Sequence, residues 1–315
     1  MPFSQSPLAV GPMAIVAAAA LVATAPAALA QTVELRTGVE PDRRLRYDVS
    51  QELTVTQRRS DSPDAEPAAY TTETDATLDI AVLRVADGGS ARASLDVLSY
   101  RARAEDPAGA VSVSFADLDD FENNKAEGPA RVAAALAEAE ITFAIAADGR
   151  VSDIRGLEPV RSAAADLEDT PMALWSMLEP DKLAEVLQTM FWAQGGLGER
   201  SRQDEWTTSR RVGLGPAGAL DVETTSVLGL IIGGQAMIGS QTEVELMVPN
   251  NPTDATPRVT VGETSGNILT RWDTGRGGLK SHQAVTTLDT EWVLGDITIN
   301  QEQRSNLRIT EVPID

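Results

Sequence analysis

His282 is the only histidine in the chain and there is no cysteine, which removes most nucleophilic and soft-metal chemistry. A serine–histidine pair needs the hydroxyl within hydrogen-bond reach of the ring. Ser281 precedes His282 in a run with strand character, and consecutive strand residues point to opposite faces. A serine from elsewhere in the fold could reach the ring, but the default reading is a satisfied or surface histidine. Gly213, Gly215 and Gly218 have the spacing of the dinucleotide-binding fingerprint, yet Pro216 sits inside it and strand-like sequence follows. The fingerprint requires a helix N-terminus to receive a pyrophosphate, so a hairpin turn is the expectation here. Asp117, Asp119, Asp120 and Glu122, with Asn123 and Asn124, offer the hard oxygen ligands that calcium takes. Phe121 occupies a ligand position and no glycine makes the tight turn, so this reads as a solvated acidic loop. Five tryptophans, Trp175, Trp192, Trp206, Trp272 and Trp292, would suit a carbohydrate platform, but aromatics are only 4% of the chain and core packing is the expectation. With 47 acidic residues, chance carboxylate pairs are inevitable and give no evidence for glycoside hydrolysis. No catalytic residue, metal or cofactor is expected.

Composition narrows the setting. The formal net charge is −21, and only Lys125, Lys182 and Lys280 are lysines. A surface of this sign is repelled by nucleic-acid phosphates and by anionic head groups, which excludes nucleic acid as a partner. At the N-terminus an uncharged apolar run from Met13 to Ala25 is followed by Pro26 and by Ala28-Leu29-Ala30. Small residues at these positions mark a secretory signal peptide over residues 1–30, cleaved before Gln31. The run is shorter than the ~20 apolar residues a bilayer-spanning helix requires. The most apolar later stretch, Val227 to Gly239, is broken by Gly229, Gly233 and Gly234, so no transmembrane segment is expected in the mature chain. The protein is expected to be exported, periplasmic or secreted, with residues 31–315 forming one large domain that hydrophobic burial alone must stabilise.

Period-two alternation dominates that domain. Leu45, Tyr47, Val49, Gln51, Leu53 and Val55 alternate with Arg46, Asp48, Ser50, Glu52, Thr54 and Thr56, the signature of a half-buried strand. Leu78, Ile80 and Val82 mark a second strand that Asp87-Gly88-Gly89 turns into a partner containing Leu95 and Val97. Strands are also expected at Ala110–Phe115, Ile141–Ala147 and, after Asp148-Gly149, Val151–Ile154. A short Ala-rich helix over Pro129–Ala139 precedes the Ile141 strand.

Residues 157–200 change character. After Pro180 and Asp181, Leu183, Val186, Leu187, Met190 and Phe191 recur at helical spacing and form one apolar stripe that Gly195-Gly196 terminates. Strand patterns return at Leu220–Leu230, Thr242–Val248, Arg258–Val261, Asn267–Asp273, Leu279–Leu288, Trp292–Ile299 and Leu307–Val312. Residues 31–156 and 201–315 thus read as two similar sheet halves around a helical segment. Strands longer than ten residues must coil. The predicted fold is β-dominated α+β: long antiparallel strands in a curved sheet or incomplete barrel, with the central helices on the concave face.

Leu45-Arg46-Tyr47, Ile141-Thr142-Phe143, Asp148-Gly149-Arg150-Val151, Gly156-Leu157, the helix ending near Phe191, the Trp206 strand and the turn from Asp273 to Leu279 together resemble a family of exported bacterial proteins built on a domain of unknown function. The order of elements is also similar to that of the curved-sheet-plus-helix envelope lipoprotein carriers of the LolA and LprG type, although the acylated cysteine of the LprG type is missing. That comparison rests on architecture alone; a curved sheet whose apolar face is covered by the helix stripe can open an apolar cleft, so a non-enzymatic envelope protein, an apolar-ligand carrier or a scaffold, is the expectation. Its expected partner is an apolar small molecule or lipid held between sheet and helix, with Leu183, Val186, Leu187, Met190 and Phe191 as the binding stripe. The alternatives are a protein–protein interaction or structural module, and a secreted hydrolase working through carboxylates.

Overall fold

The structure, a computed structural model, describes residues 32–62, 64–107, 109–115, 129–165, 177–248 and 257–314. In chain order the elements are β1 (Thr32–Leu35), β2 (Arg44–Arg59), β3 (Ala68–Val85), β4 (Ala91–Asp106), β5 (Gly109–Phe115), α1 (Pro129–Ala137), β6 (Ile141–Ile145) and β7 (Val151–Arg155). They continue with α2 (Glu158–Ala165), α3 (Pro180–Phe191), β8 (Gly198–Ser201), β9 (Glu205–Gly213), β10 (Ala219–Ile232), β11 (Gln235–Met247), β12 (Arg258–Asp273), β13 (Gly278–Leu294) and β14 (Ile297–Val312). The leader and the acidic cluster at 117–122 lie outside the described residues.

All the strands except β1 and β8, which pair with each other, form one antiparallel sheet in the order β7-β6-β4-β3-β2-β14-β13-β12-β11-β10-β9, with β5 beside β4. Followed from β9 to β14 and then from β2 to β7, this is a single up-and-down meander. The two expected halves are therefore one continuous sheet, joined where β2 pairs with β14 from Arg46↔Val312 to Arg59↔Ile299. The first and last strands of this sheet, β2 and β14, lie side by side at its middle, and the connection through α2, α3 and β8 links its two outer strands, β7 and β9.

That connection dictates the curvature. Laid flat, eleven strands at about 4.8 Å spacing would separate β7 from β9 by roughly 48 Å. A helix of 12 residues is about 18 Å long. Yet α3 touches both β7 and β13, and the turn Ala193–Gly195 that follows it touches β9. The sheet must curl until both edges reach the same helix. Register shifts at Thr77/Leu78, Leu228/Leu230 and Val261/Thr264 add local twist where the long strands bend.

The concave face carries the core. Leu45, Tyr47, Leu78, Ile80, Leu95 and Phe143 from one side of the sheet and Ile238, Trp272, Leu279 and Ile309 from the other are buried, together with α1, α2 and the α3 stripe. Arg43 ties the chain before β2 to the β12–β13 turn: its guanidinium donates to the carbonyl oxygens of Gly38, Arg276 and Gly277. Tyr47 adds a hydroxyl bond to the Leu279 carbonyl at 3.3 Å. On the convex face, Asp79 is buried beneath the guanidinium groups of Arg44 and Arg46.

Two sequence expectations need correction. Trp292–Ile299 is not one strand, because Gly295, at φ 62°, and Asp296 turn the chain there between β13 and β14. Arg258–Val261 and Asn267–Asp273 are not two strands but the ends of β12, which absorbs Gly262 in a bulge opposite Asp289 and pairs Gly266 in register with Thr286. The small β1–β8 sheet is too short to read from sequence: Thr32–Leu35 alternates over only four residues and Gly198–Ser201 contains no apolar side chain.

Gly149 makes the edge contact specific. It sits at φ +81° in the β6–β7 turn, and a Cβ there would strike the Phe191 carbonyl at the end of α3. Gly149→Ala is expected to cost about 2 kcal/mol or more from strain and displacement of α3. Thermal unfolding should show a fall in Tm of about 4–8 °C; an unchanged Tm would show that α3 does not seat on this turn.

Candidate functional site

α3 begins at Pro180, whose fixed φ suits the first helical position, and Asp181 in the first turn complements the helix dipole. It ends when the Trp192 N–H bonds to the Gln188 carbonyl and Gln194 and Gly195 take positive φ. All five residues of the predicted stripe, Leu183, Val186, Leu187, Met190 and Phe191, face the sheet and are at most 6% exposed. Phe191 meets Phe143 of β6 with ring centroids 6.3 Å apart and planes tilted by 48°. The stripe is thus a packed part of the core. A ligand touching Leu187 or Met190 requires α3 to move.

Polar contacts moor the helix to both sheet edges. The Val151 N–H of β7 donates to Gln188 Oε1 at 3.4 Å, and Arg210 of β9 pairs with Glu185 at 2.9 Å. Thr37 donates to the Phe191 carbonyl at 3.1 Å. At the C-terminal turn the Trp206 indole N–H donates to the Gln194 carbonyl at 2.9 Å, and the Arg200 guanidinium lies 4.9 Å from the centre of the Trp206 ring. The Glu185–Arg210 pair is about half exposed on both sides, and such pairs contribute little to stability.

Beyond the α3 end of the sheet the concave face continues. On β2, Leu45, Tyr47 and Val49 are buried, whereas Gln51, Leu53, Val55 and Gln57, on the same face, are half-buried. The pairing register carries the same face through Leu307, Ser305 and Gln303 of β14 to Ala284, Thr286 and Leu288 of β13. It continues through Ile268 and Thr264 of β12 to Thr242 and Val244 of β11, with Thr224 and Val222 on β10. Convex positions on the same strands, Glu52, Arg304, Gln241, Glu243 and Glu245 among them, are exposed. Sequence reasoning concentrated on the helix stripe and missed this wall; its signal was the absence of charge at alternate positions.

The chemical candidates resolve simply. His282 is 3% exposed on the concave face, with its Nδ1 3.0 Å from the Thr270 hydroxyl. Burial holds its pKa down to about 4, so the ring is neutral at physiological pH. Ser281 lies on the opposite face, as strand geometry requires. A second hydroxyl pair, Ser226 and Ser240, is buried at 2.8 Å with no base in its hydrogen bond. The glycine triad at 213–218 forms the β9–β10 turn, closed by Leu214 N–H donating to the Gly218 carbonyl. Trp206 and Trp272 are buried and Trp192 and Trp292 half-buried, while Trp175 lies outside the described residues. Among the described residues no group of three or more His, Cys, Asp or Glu side chains is placed to hold a metal.

Two shallow depressions lie on the convex face. One, of about 620 Å³, is lined by Glu205, Val227, Gln241, Leu269 and Val285 over Gly239. The other, of about 550 Å³, is lined by Arg58, Asp289, Glu291 and Glu302. The convex face carries charge on most of its strands, Glu52, Arg304, Glu243 and Glu245 among them, the reverse of a membrane barrel, whose outward band must be apolar. Among the described residues no helix is long and apolar enough to cross a membrane.

No family model and no curated protein matches the chain. Among solved structures it is similar to lipovitellin, in a structure concerned with lipid–protein interactions, with 12% identity and a TM-score of 0.43 over 88% of this chain. It spans about a quarter (26%) of the lipovitellin chain. It is also similar to OccK7 (OpdD) and OccK5 (OpdH) of Pseudomonas aeruginosa, at 6% and 7% identity with TM-scores of 0.27 and 0.25. Those matches cover 86% and 85% of this chain and 100% and 98% of the other chains. Likenesses at this level assign nothing to the protein.

The buried histidine has a thermodynamic signature. Its folded pKa lies below the unfolded value of 6.5, so between about pH 6.5 and 4 the unfolded chain binds the extra proton. Stability from this group is complete above that window and is lost as pH falls through it. Urea unfolding should show the native chain losing on the order of 3 kcal/mol more than His282→Gln between about pH 7 and pH 4. Parallel pH profiles would place His282 in contact with water.

Proposed function

We propose that this is an exported, non-enzymatic envelope protein that holds an apolar molecule or lipid between the concave sheet face and α3. The observation that carries the reading is the continuation of the concave face past the α3 end as a half-buried wall containing Leu53, Val55, Leu288 and Val244. Concave, mostly apolar surfaces with a few polar groups are the usual setting for small-molecule sites. Two further points support it. The single histidine is neutral, buried and bonded to a threonine, which suits packing rather than acid–base work. The apolar leader with Ala28-Leu29-Ala30 supports export to the periplasm or beyond.

In this reading α3 closes one end of the site, its apolar stripe packed in the core and its polar side chains moored to β7 and β9. A docked protein is the second reading, favoured by exposed Leu269 and Val285 on the convex face.

Expression of the full chain with its leader, followed by native mass spectrometry and organic extraction, tests the first reading. The expected result is a protein beginning at Gln31 that carries a near-stoichiometric apolar molecule. An empty protein that takes up no added lipid overturns the carrier reading, and a mass retaining residues 1–30 overturns export through a cleaved leader.

A further inference from the structure

The geometry points to an uncharged amphiphile, an acyl glyceride rather than a fatty acid or phospholipid, as the ligand of the concave wall. This rests on the carrier reading and narrows it.

Charge is the discriminating observation. The chain has 73 charged residues, yet among the described residues the concave positions of β2 from Gln51 to Gln57, and their register partners on β14, β13, β12, β11 and β10, carry none. Their neighbours on the convex face alternate with them and include Glu52, Arg304, Glu243 and Glu245. An ionised carboxylate or phosphate placed on this wall would lose water, and the same-face cation on the neighbouring β9, Arg210 beside Val222, is already paired with Glu185, so the burial costs several kcal/mol. The net charge of −21 opposes an anion further.

The wall is nevertheless not greasy throughout. Gln57 and Gln301 bond side chain to side chain at 3.2 Å, and the Thr224 and Thr242 hydroxyls lie 3.2 Å apart. Gln51 and Gln303 stand beside Leu53, Val55 and Leu288, so neutral donors and acceptors interleave with apolar side chains. Esters and hydroxyls suit such a lattice, because amide and hydroxyl groups donate and accept without carrying charge. Length agrees as well. From Ala284 to Trp292 the wall runs about 26 Å at ~3.3 Å per residue, while one acyl chain occupies about half of a ~30 Å bilayer core. One chain and a glycerol head fit end to end.

Trp292, half-buried on this face and paired with Ile299 and Val259, supplies the reporter. The experiment titrates residues 31–315 at neutral pH with the glycerol monoester of dibromostearic acid or with free dibromostearate. These share one chain and differ in charge, and bromine quenches nearby indoles. The expected result is quenching by the monoester, absent in Trp292→Phe, at an affinity at least about tenfold tighter than for the acid. Gln303→Lys, whose fold is checked by thermal melting, should bring the acid to parity or better. Equal or tighter binding of the acid by the native protein overturns the proposal and leaves the carrier reading standing. Quenching by neither probe overturns the carrier reading itself. Monoester quenching that persists unchanged in Trp292→Phe overturns the assignment to this wall.

Discussion

The connection between the two edges of the sheet is the constraint on which the rest depends. A meander of this width has two unpaired edges, and open edges invite pairing with other chains. Here one covalent segment leaves the β7 edge and arrives at the β9 edge, carrying α3 with it. The helix is far shorter than the flat sheet would be wide, so the sheet curls around it. Gln188 then meets the backbone of one edge and Glu185 meets Arg210 on the other. Curvature, the covered edges and a concave interior all follow from the contacts this segment makes with both edges.

The core is correspondingly lopsided. Where α1, α2 and α3 press on the sheet, concave residues such as Tyr47, Leu95 and His282 are buried. Farther along the same strands, on the β2 and β10–β14 side, the concave face is half-buried and changes from aliphatic to mixed Leu, Val, Thr and Gln. Charge is kept on the convex side, where it solubilises a sheet that would otherwise expose a broad surface. A membrane barrel segregates its polarity the other way, with lipid outside and water within.

His282 illustrates how burial decides chemistry. In water an imidazole titrates near neutrality and is a versatile base. Buried on the concave face, bonded to Thr270 and desolvated, it is held neutral well below that range. It packs the middle of the sheet, between Thr270 on β12 and Ile309 on β14.

Much of this architecture was legible in the residues alone. Strand alternation identified β2 and β4, Asp-Gly turns located the β3–β4 and β6–β7 hairpins, and the spacing from Leu183 to Phe191 defined α3 and its buried face. These signals are local, because side-chain direction repeats every two residues in a strand and about every 3.6 in a helix. The strand boundaries around Gly262 and Gly295 were misread, since a glycine within a strand pattern means a bulge at one site and a turn at the other, and only the partner strand distinguishes them. The sequence alone thus determined the inward face of the clearly alternating strands and the buried stripe of α3. Only the tertiary structure decided that β14 lies beside β2, that α3 joins both edges, and that the uncharged positions of six strands align into one wall. Those facts depend on pairings such as Arg46↔Val312, between residues 266 positions apart, which no local periodicity encodes.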